Sequence, residues 1–158
     1  MEEKILSAVG MGREETPQVS DEALLALARA AMERSYSPYS RYPVGAALLC
    51  ADGRVYQGCN IENASFSATN CAERTAFFKA VYDGCYDFAA IAVVGGPAGK
   101  PVQAHDEPCG PCGVCRQVMQ EFCGPDFEIH MQKAGGGVFT VKLPELLPFG
   151  FTKDSMEA

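Results

Sequence analysis

A chain of 158 residues with 47% hydrophobic and 21% charged residues is sized for one compact domain around a single core. Its formal net charge of -7 argues against a polynucleotide partner, because phosphate neutralisation needs clustered Lys and Arg. No apolar run is long enough to span a bilayer, and the start MEEKILSAVGMGREE has neither the basic flank nor the apolar length of a secretory signal. A cytoplasmic, reducing location is therefore expected. There the eight cysteines are expected to be metal ligands, nucleophiles or small buried hydrophobes rather than disulfides.

Residues 1–19 read as a polar arm, 20–152 as one domain and 153–158 as a tail. Ser20 or Asp21 can cap a helix with an apolar stripe at Leu24, Leu27, Ala28 and Ala31, which should end near Ser35. PVGAALLC (43–50) and RVYQGCNI (54–61) flank Asp52-Gly53 and predict a hairpin. CAERTAFFKAV (71–81) has helical spacing at Ala72, Ala76 and Ala80, and FAAIAVVGG (88–96) reads as a buried strand. A further helix should begin near Cys112, with Val114, Val118, Met119 and Phe122 on one side. FEIHMQ and VFTVKL then bracket AGGG as two strands, and a short helix stops at Pro148. The order α-β-β-α-β-α-β-β implies an α/β fold with helices covering a mixed sheet.

PCGPCGVC (108–115) contains two overlapping C-x-x-C pairs. Proline is tolerated at a helix entrance but not inside, so a helix starting after Pro111 puts Cys112 at its mouth and Cys115 in its first turn. Cys109 stays in the loop. The positive end of the helix favours thiolate at 112 and 115, which makes them the better ligand pair. Cys71 begins the other well-marked helix and can supply a third thiolate. Three protein ligands on Zn²⁺ leave one position open, the arrangement of a catalytic site.

Glu73 lies two residues beyond Cys71, where a carboxylate can take a proton from bound water and pass it on. Zn²⁺ with three thiolates is net negative, and Arg74 is the candidate for charge compensation. Bland readings compete. Glu73 can close a cap begun by Asn70, and Cys50, Cys59, Cys85 and Cys123 can be simple core residues. Tyr42 and Phe151 are by default core aromatics, His130 is structural and His105 is in a polar loop. A zinc site closed by Cys109 would make a non-catalytic module, and a lone C-x-x-C would suit a thiol–disulfide oxidoreductase.

Cys71-Ala72-Glu73 with Pro111-Cys112-Gly113-Val114-Cys115 has the pattern of zinc deaminases. GCNIENASFSATNCAERTAFFKAV (58–81), PCGVCRQVMQEF (111–122), SPYSRYPVGAALL (37–49) and ELLPFGF (145–151) resemble the signature blocks of the small homotetrameric cytidine deaminases. The likeness covers about residues 20–152. It implies a three-layer α-β-α sandwich with a five-stranded mixed sheet. It also implies hydrolysis of cytidine and 2′-deoxycytidine to the uridine products and ammonia, in pyrimidine salvage. One Zn²⁺ per subunit would sit on Cys71, Cys112 and Cys115, with Glu73 as proton shuttle. Asn60 and Glu62 would hold the ribose, Ala72 and Glu73 the base edge, and Tyr42 would lie near the pyrimidine. Phe151 would stack on the base from a neighbouring subunit of a homotetramer. The family usually has Phe at the position of Tyr42 and Ser at that of Gly110, and the loop 95–110 is longer than expected. A deaminase of a modified cytosine nucleoside or an aminopyrimidine antibiotic is the alternative within the same chemistry.

Overall fold

The computed structural model describes residues 19–102 and 107–156. Most of the N-terminal arm (1–18), His105 and the last two residues lie outside the described residues. Helix α1 spans Asp21–Met32 and is capped by Ser20, whose Oγ accepts from the Ala23 N–H at 3.2 Å. It stops three residues before Ser35, and Leu25 joins Leu24, Ala28 and Ala31 in its buried stripe. Strands β1 (Val44–Cys50) and β2 (Val55–Cys59) form the expected hairpin, with residues 51–54 as the connection and Gly53 at φ 90°.

Helix α2 (Ala72–Tyr82) and strand β3 (Phe88–Gly95) follow. Helix α3 (Gly113–Phe122), strands β4 (Glu128–Gln132) and β5 (Val138–Lys142) and the short helix α4 (Leu143–Leu146) complete the order. Residues 153–156 make a single 3-10 turn where a tail was expected. The sheet order is β2-β1-β3-β4-β5, parallel only between β3 and β4, which is the mixed five-stranded sheet. Its parallel pair requires a crossover, and α3 supplies it.

Leu24, Leu25 and Ala28 of α1 pack on Ala47, Ala90, Ala92 and Val94 of one sheet face. On the other face α2 and α3 share a core with Ala46, Leu48, Ile91 and Val93. The result is three layers. Alternation along β1 explains the division, since Ala46 and Ala47 point to opposite faces. Phe77 of α2, fully buried, lies with its ring centroid 5.0 Å from Phe88 and 6.1 Å from Phe122 of α3. Each such aromatic pair is worth about 0.5–1.5 kcal/mol beyond its buried area, so Phe77 fixes the two helices relative to one another.

Two glycines set how closely the outer layers approach. A Cβ on Gly45 would stand 2.0 Å from the Ala28 carbonyl oxygen of α1, and one on Gly58 would stand 2.3 Å from that of Ala72 in α2. Neither neighbour is a flexible side chain. We expect Gly58→Ala to push α2 off the sheet at a cost of about 3 kcal/mol or more, the upper end of overpacking penalties. Urea unfolding would read this as a lower midpoint.

Two expectations need correction. Val114 is 58% exposed, because the buried stripe of α3 is Cys115 and Met119 with Val118 and Phe122 beside it, and Val114 points away from that stripe. The absence of disulfides fails at one pair. Cys50 and Cys85 are buried as expected, but their sulfurs are bonded to each other, with Cα atoms 6.9 Å apart. The end of β1 meets the start of β3 there, where the Ala51 N–H donates to the Asp87 carbonyl at 2.9 Å. That juxtaposition is tertiary, and no local spacing encodes it. Cys59 is only half-buried, its thiol 3.3 Å from the Arg34 carbonyl. His130 is structural, buried with Nδ1 2.8 Å from Thr140 Oγ1.

Candidate active site

Helices α2 and α3 both begin at a cysteine. Cys71 is the N-cap of α2 and Cys112 the N-cap of α3, each in extended backbone geometry, with Cys115 in the first turn of α3. Because α2 and α3 lie on the same face of the sheet, their N-termini meet and the three sulfurs converge. Sγ of Cys112 is 3.8 Å from that of Cys71 and 3.6 Å from that of Cys115. Four tetrahedral Zn–S bonds of about 2.3 Å put ligand sulfurs about 3.8 Å apart. The triangle therefore fits zinc. The other close group of ligand types among the described residues, Cys50, Asp52 and Cys85, is already engaged in the disulfide and in the Asp52–Arg54 ion pair at 2.8 Å.

The thiols are electrostatically prepared. A hydrogen bond from Cys115 is the main cause that pulls Cys71 down to about 5, with Arg74 and Cys112 adding to it. Cys115 is correspondingly pushed up by holding the shared proton and by burial. A bound cation takes the place of that proton. Arg74 Nη2 lies 3.4 Å from Cys71 Sγ and 3.3 Å from the Thr69 carbonyl oxygen, so its positive charge stands beside the Cys71 sulfur. Its buried Nε has no hydrogen-bond partner among the described residues.

Glu73 is 4% exposed and lines a cleft of about 300 Å³ together with Cys71, Ala72 and Cys112. Burial, reinforced by the Cys71 thiolate, pushes its carboxyl up to about 7. It does not close a cap for Asn70: the N-cap is Cys71, and the Asn70 amide donates to Thr75 Oγ1 at 3.1 Å. A carboxyl that titrates near neutrality is suited to accept and return a proton.

Cys109 lines the same cleft, so it is closer to the chemistry than a loop bystander. Its Sγ packs over Gly95, 2.8 Å from where a Cβ would stand, and it does not belong to the sulfur triangle. Burial pushes its thiol up to about 11, which disfavours the thiolate that a metal needs. A site closed by Cys109 is not what the geometry builds. We expect Cys109→Ser to keep its full zinc content by elemental analysis; a zinc-free variant would reassign the ligands.

A family model described as the cytidine and deoxycytidylate deaminase zinc-binding region matches residues 18–131. The chain belongs to this deaminase family. It is 47% identical over 135 residues to a cytidine deaminase of Sporosarcina psychrophila, covering 85% of this chain and 93% of that protein. One from Halalkalibacterium halodurans is 48% identical over 126 residues, covering 80% and 89%. The crystal structure of cytidine deaminase from Burkholderia pseudomallei superposes with a TM-score of 0.74 at 46% identity, covering 84% of this chain and 99% of that one. The three-layer fold is thus the cytidine deaminase fold.

The remaining residues expected of a cytidine deaminase fall into three groups. Tyr42, Asn60 and Ala72 line the cleft with Glu73. Burial first, then Cys109, raises the Tyr42 phenol to about 12, so it stays neutral. Asn60 is largely tied to the scaffold: Oδ1 accepts from Ser35 Oγ at 2.5 Å and from the Val44 N–H at 2.8 Å, and Nδ2 donates to the Tyr42 carbonyl at 2.9 Å. One of its N–H groups is left over. Glu62 lies in the adjoining groove, joined to the cleft through Ser40 and Thr69. Its Oε2 accepts from the backbone N–H groups of Tyr39 at 2.9 Å and Ser40 at 3.2 Å, and the Ser40 side chain first, with these backbone bonds after it, holds its carboxyl below the usual range. Phe151 lies outside the cleft of its own chain and is 57% exposed.

Sequence reading missed Ser35, which orients Asn60, and the edge-to-face pair of Tyr39 and Phe66 at 5.9 Å beside Glu62. Ser35 carries no local signal, because its partner is 25 residues away. The N-I-E-N block pointed to Glu62 but not to the aromatics that wall its groove.

Proposed function

We infer that the chain hydrolyses cytidine and 2′-deoxycytidine to uridine and 2′-deoxyuridine, releasing ammonia. The observation that carries this reading is the sulfur triangle of Cys71, Cys112 and Cys115 with the buried Glu73 carboxyl in the same cleft. Bound zinc supplies Lewis acidity that lowers the pKa of water from about 15.7 toward about 7. Glu73 takes the proton from water and delivers it to N3 of the pyrimidine. The water oxygen adds at C4, and Glu73 then passes the second proton to the amine. The C4–N bond breaks, and cytidine plus water has become uridine plus ammonia.

Ala72 is the first residue of α2, so its N–H has no intrahelical acceptor and is available to the base edge. The spare Asn60 N–H and the second oxygen of Glu62 would take the ribose hydroxyls, a reading supported by Asn60 lining the cleft and Glu62 the adjoining groove. Tyr42 forms the side of the cleft nearest Cys109. A cytoplasmic location and a place in pyrimidine salvage belong to the same proposal; the six free cysteines among the described residues support a reducing compartment, and the Cys50–Cys85 bond counts against it.

We further propose a homotetramer in which Phe151 serves a neighbouring subunit's site. Phe78 and Tyr82 on the outer side of α2 are 50% and 91% exposed, and Phe149 is fully exposed near the C-terminus. Large exposed apolar side chains of this kind mark association surfaces. Incubating zinc-replete protein with cytidine, deoxycytidine, cytidine monophosphate, adenosine and blasticidin S, and following ammonia, tests the function. Turnover confined to the two cytosine nucleosides is expected. Turnover of blasticidin S alone would select the antibiotic-deaminase alternative.

A further inference from the structure

Arg116, one residue after the ligand Cys115, reaches in two directions. Its Nε donates to the Pro111 carbonyl at 2.8 Å, in the peptide that leads into Cys112. Its Nη1 donates to the Leu146 carbonyl at 2.7 Å, at the end of α4. The next residue, Gln117, donates Nε2 to the Phe151 carbonyl at 2.9 Å. One turn on, Gln120 Oε1 packs over Gly150, 3.0 Å from where a Cβ would stand. A single side of α3 thus grips the segment 146–151, while the N-cap and first turn of the same helix carry Cys112 and Cys115.

We propose that Arg116 is a positioning residue that couples the metal-ligand turn to the C-terminal segment, so that zinc binding orders the stretch carrying Phe151. A planar guanidinium holds two carbonyls in a fixed fork, which a lysine ammonium cannot do. Backbone drawn toward the Cys112 geometry by zinc holds Pro111, and through Arg116 it holds Leu146. The proposal rests on the zinc assignment, and its bearing on substrate rests on Phe151 reaching a neighbouring site.

Hydrogen exchange on the full chain, with zinc and after chelation, tests it without reference to catalysis. Among residues 149–152 the Thr152 amide, which donates to Ser155 Oγ at 3.2 Å, should be protected with zinc and lose protection without it. Arg116→Lys should weaken zinc about 10- to 100-fold in competition with a chromophoric chelator, the range for residues that orient ligands. In that variant protection at Thr152 should no longer respond to zinc. Gln117→Ala should lower the protection with zinc bound and, because such a coupling is reciprocal, weaken zinc by less than Arg116→Lys does. Equal protection at Thr152 in wild-type protein with and without zinc would overturn the coupling, and this comparison needs no variant to fold. Wild-type zinc affinity in a folded Arg116→Lys protein would overturn it equally.

Discussion

Glu73→Gln is expected to retain about one zinc per chain and to lose turnover by about 10²- to 10⁴-fold, the usual contribution of a positioned acid–base group. The amide keeps the size of the carboxyl and leaves the three sulfurs untouched, so zinc stoichiometry should not change. It cannot carry a proton. The native carboxyl is 4% exposed and raised to about 7 by burial, so the neutral amide also removes a charge that the fold disfavours. The variant should therefore be at least as stable as the native protein at pH 8, where Glu73 is ionised before metal is added. Loss of activity with higher or equal thermal stability separates a chemical role from a structural one. Turnover at the native rate would remove Glu73 from the mechanism.

Replacing a ligand is expected to act on zinc first. Cys115→Ser should lose its zinc and with it all turnover above background. Because Cys115 is 1% exposed, the variant also carries a buried hydroxyl, a cost of about 1–3 kcal/mol without a full set of partners. Cys112 is exposed at the mouth of the cleft, so Cys112→Ser should lose zinc with little intrinsic destabilisation. Elemental analysis gives the zinc content, and denaturant unfolding of chelated wild type provides the reference for stability. If Cys112→Ser kept a full complement of zinc, the three-thiolate site would be wrong.

Much of the fold and of the site is legible in the sequence, because the signals are local. Ser20 and the 3.6-residue stripe announce α1, Asp52-Gly53 announces the hairpin, and Pro111 marks where α3 begins. Both helix N-termini place cysteine at a position that points outward toward a partner helix. What remained hidden depends on segments meeting across the fold. The Cys50–Cys85 bond follows from the pairing of β1 with β3, and the hold of Ser35 on Asn60 follows from a loop contact. Cys109 enters the cleft because Gly95, at the end of β3, leaves space for its sulfur. Val114 misled for a different reason: in the first turn of α3 an apolar residue can face outward without breaking the stripe. It joins Phe78 and Phe151 as apolar surface that the single chain leaves uncovered.

The most direct test of the account follows zinc content and cytidine turnover in the same sample as a chelator removes the metal. About one zinc per chain is expected at the start, with turnover that falls in proportion to zinc lost and recovers when zinc is returned under reducing conditions. Ammonia released from cytidine at an undiminished rate by metal-free protein would contradict it.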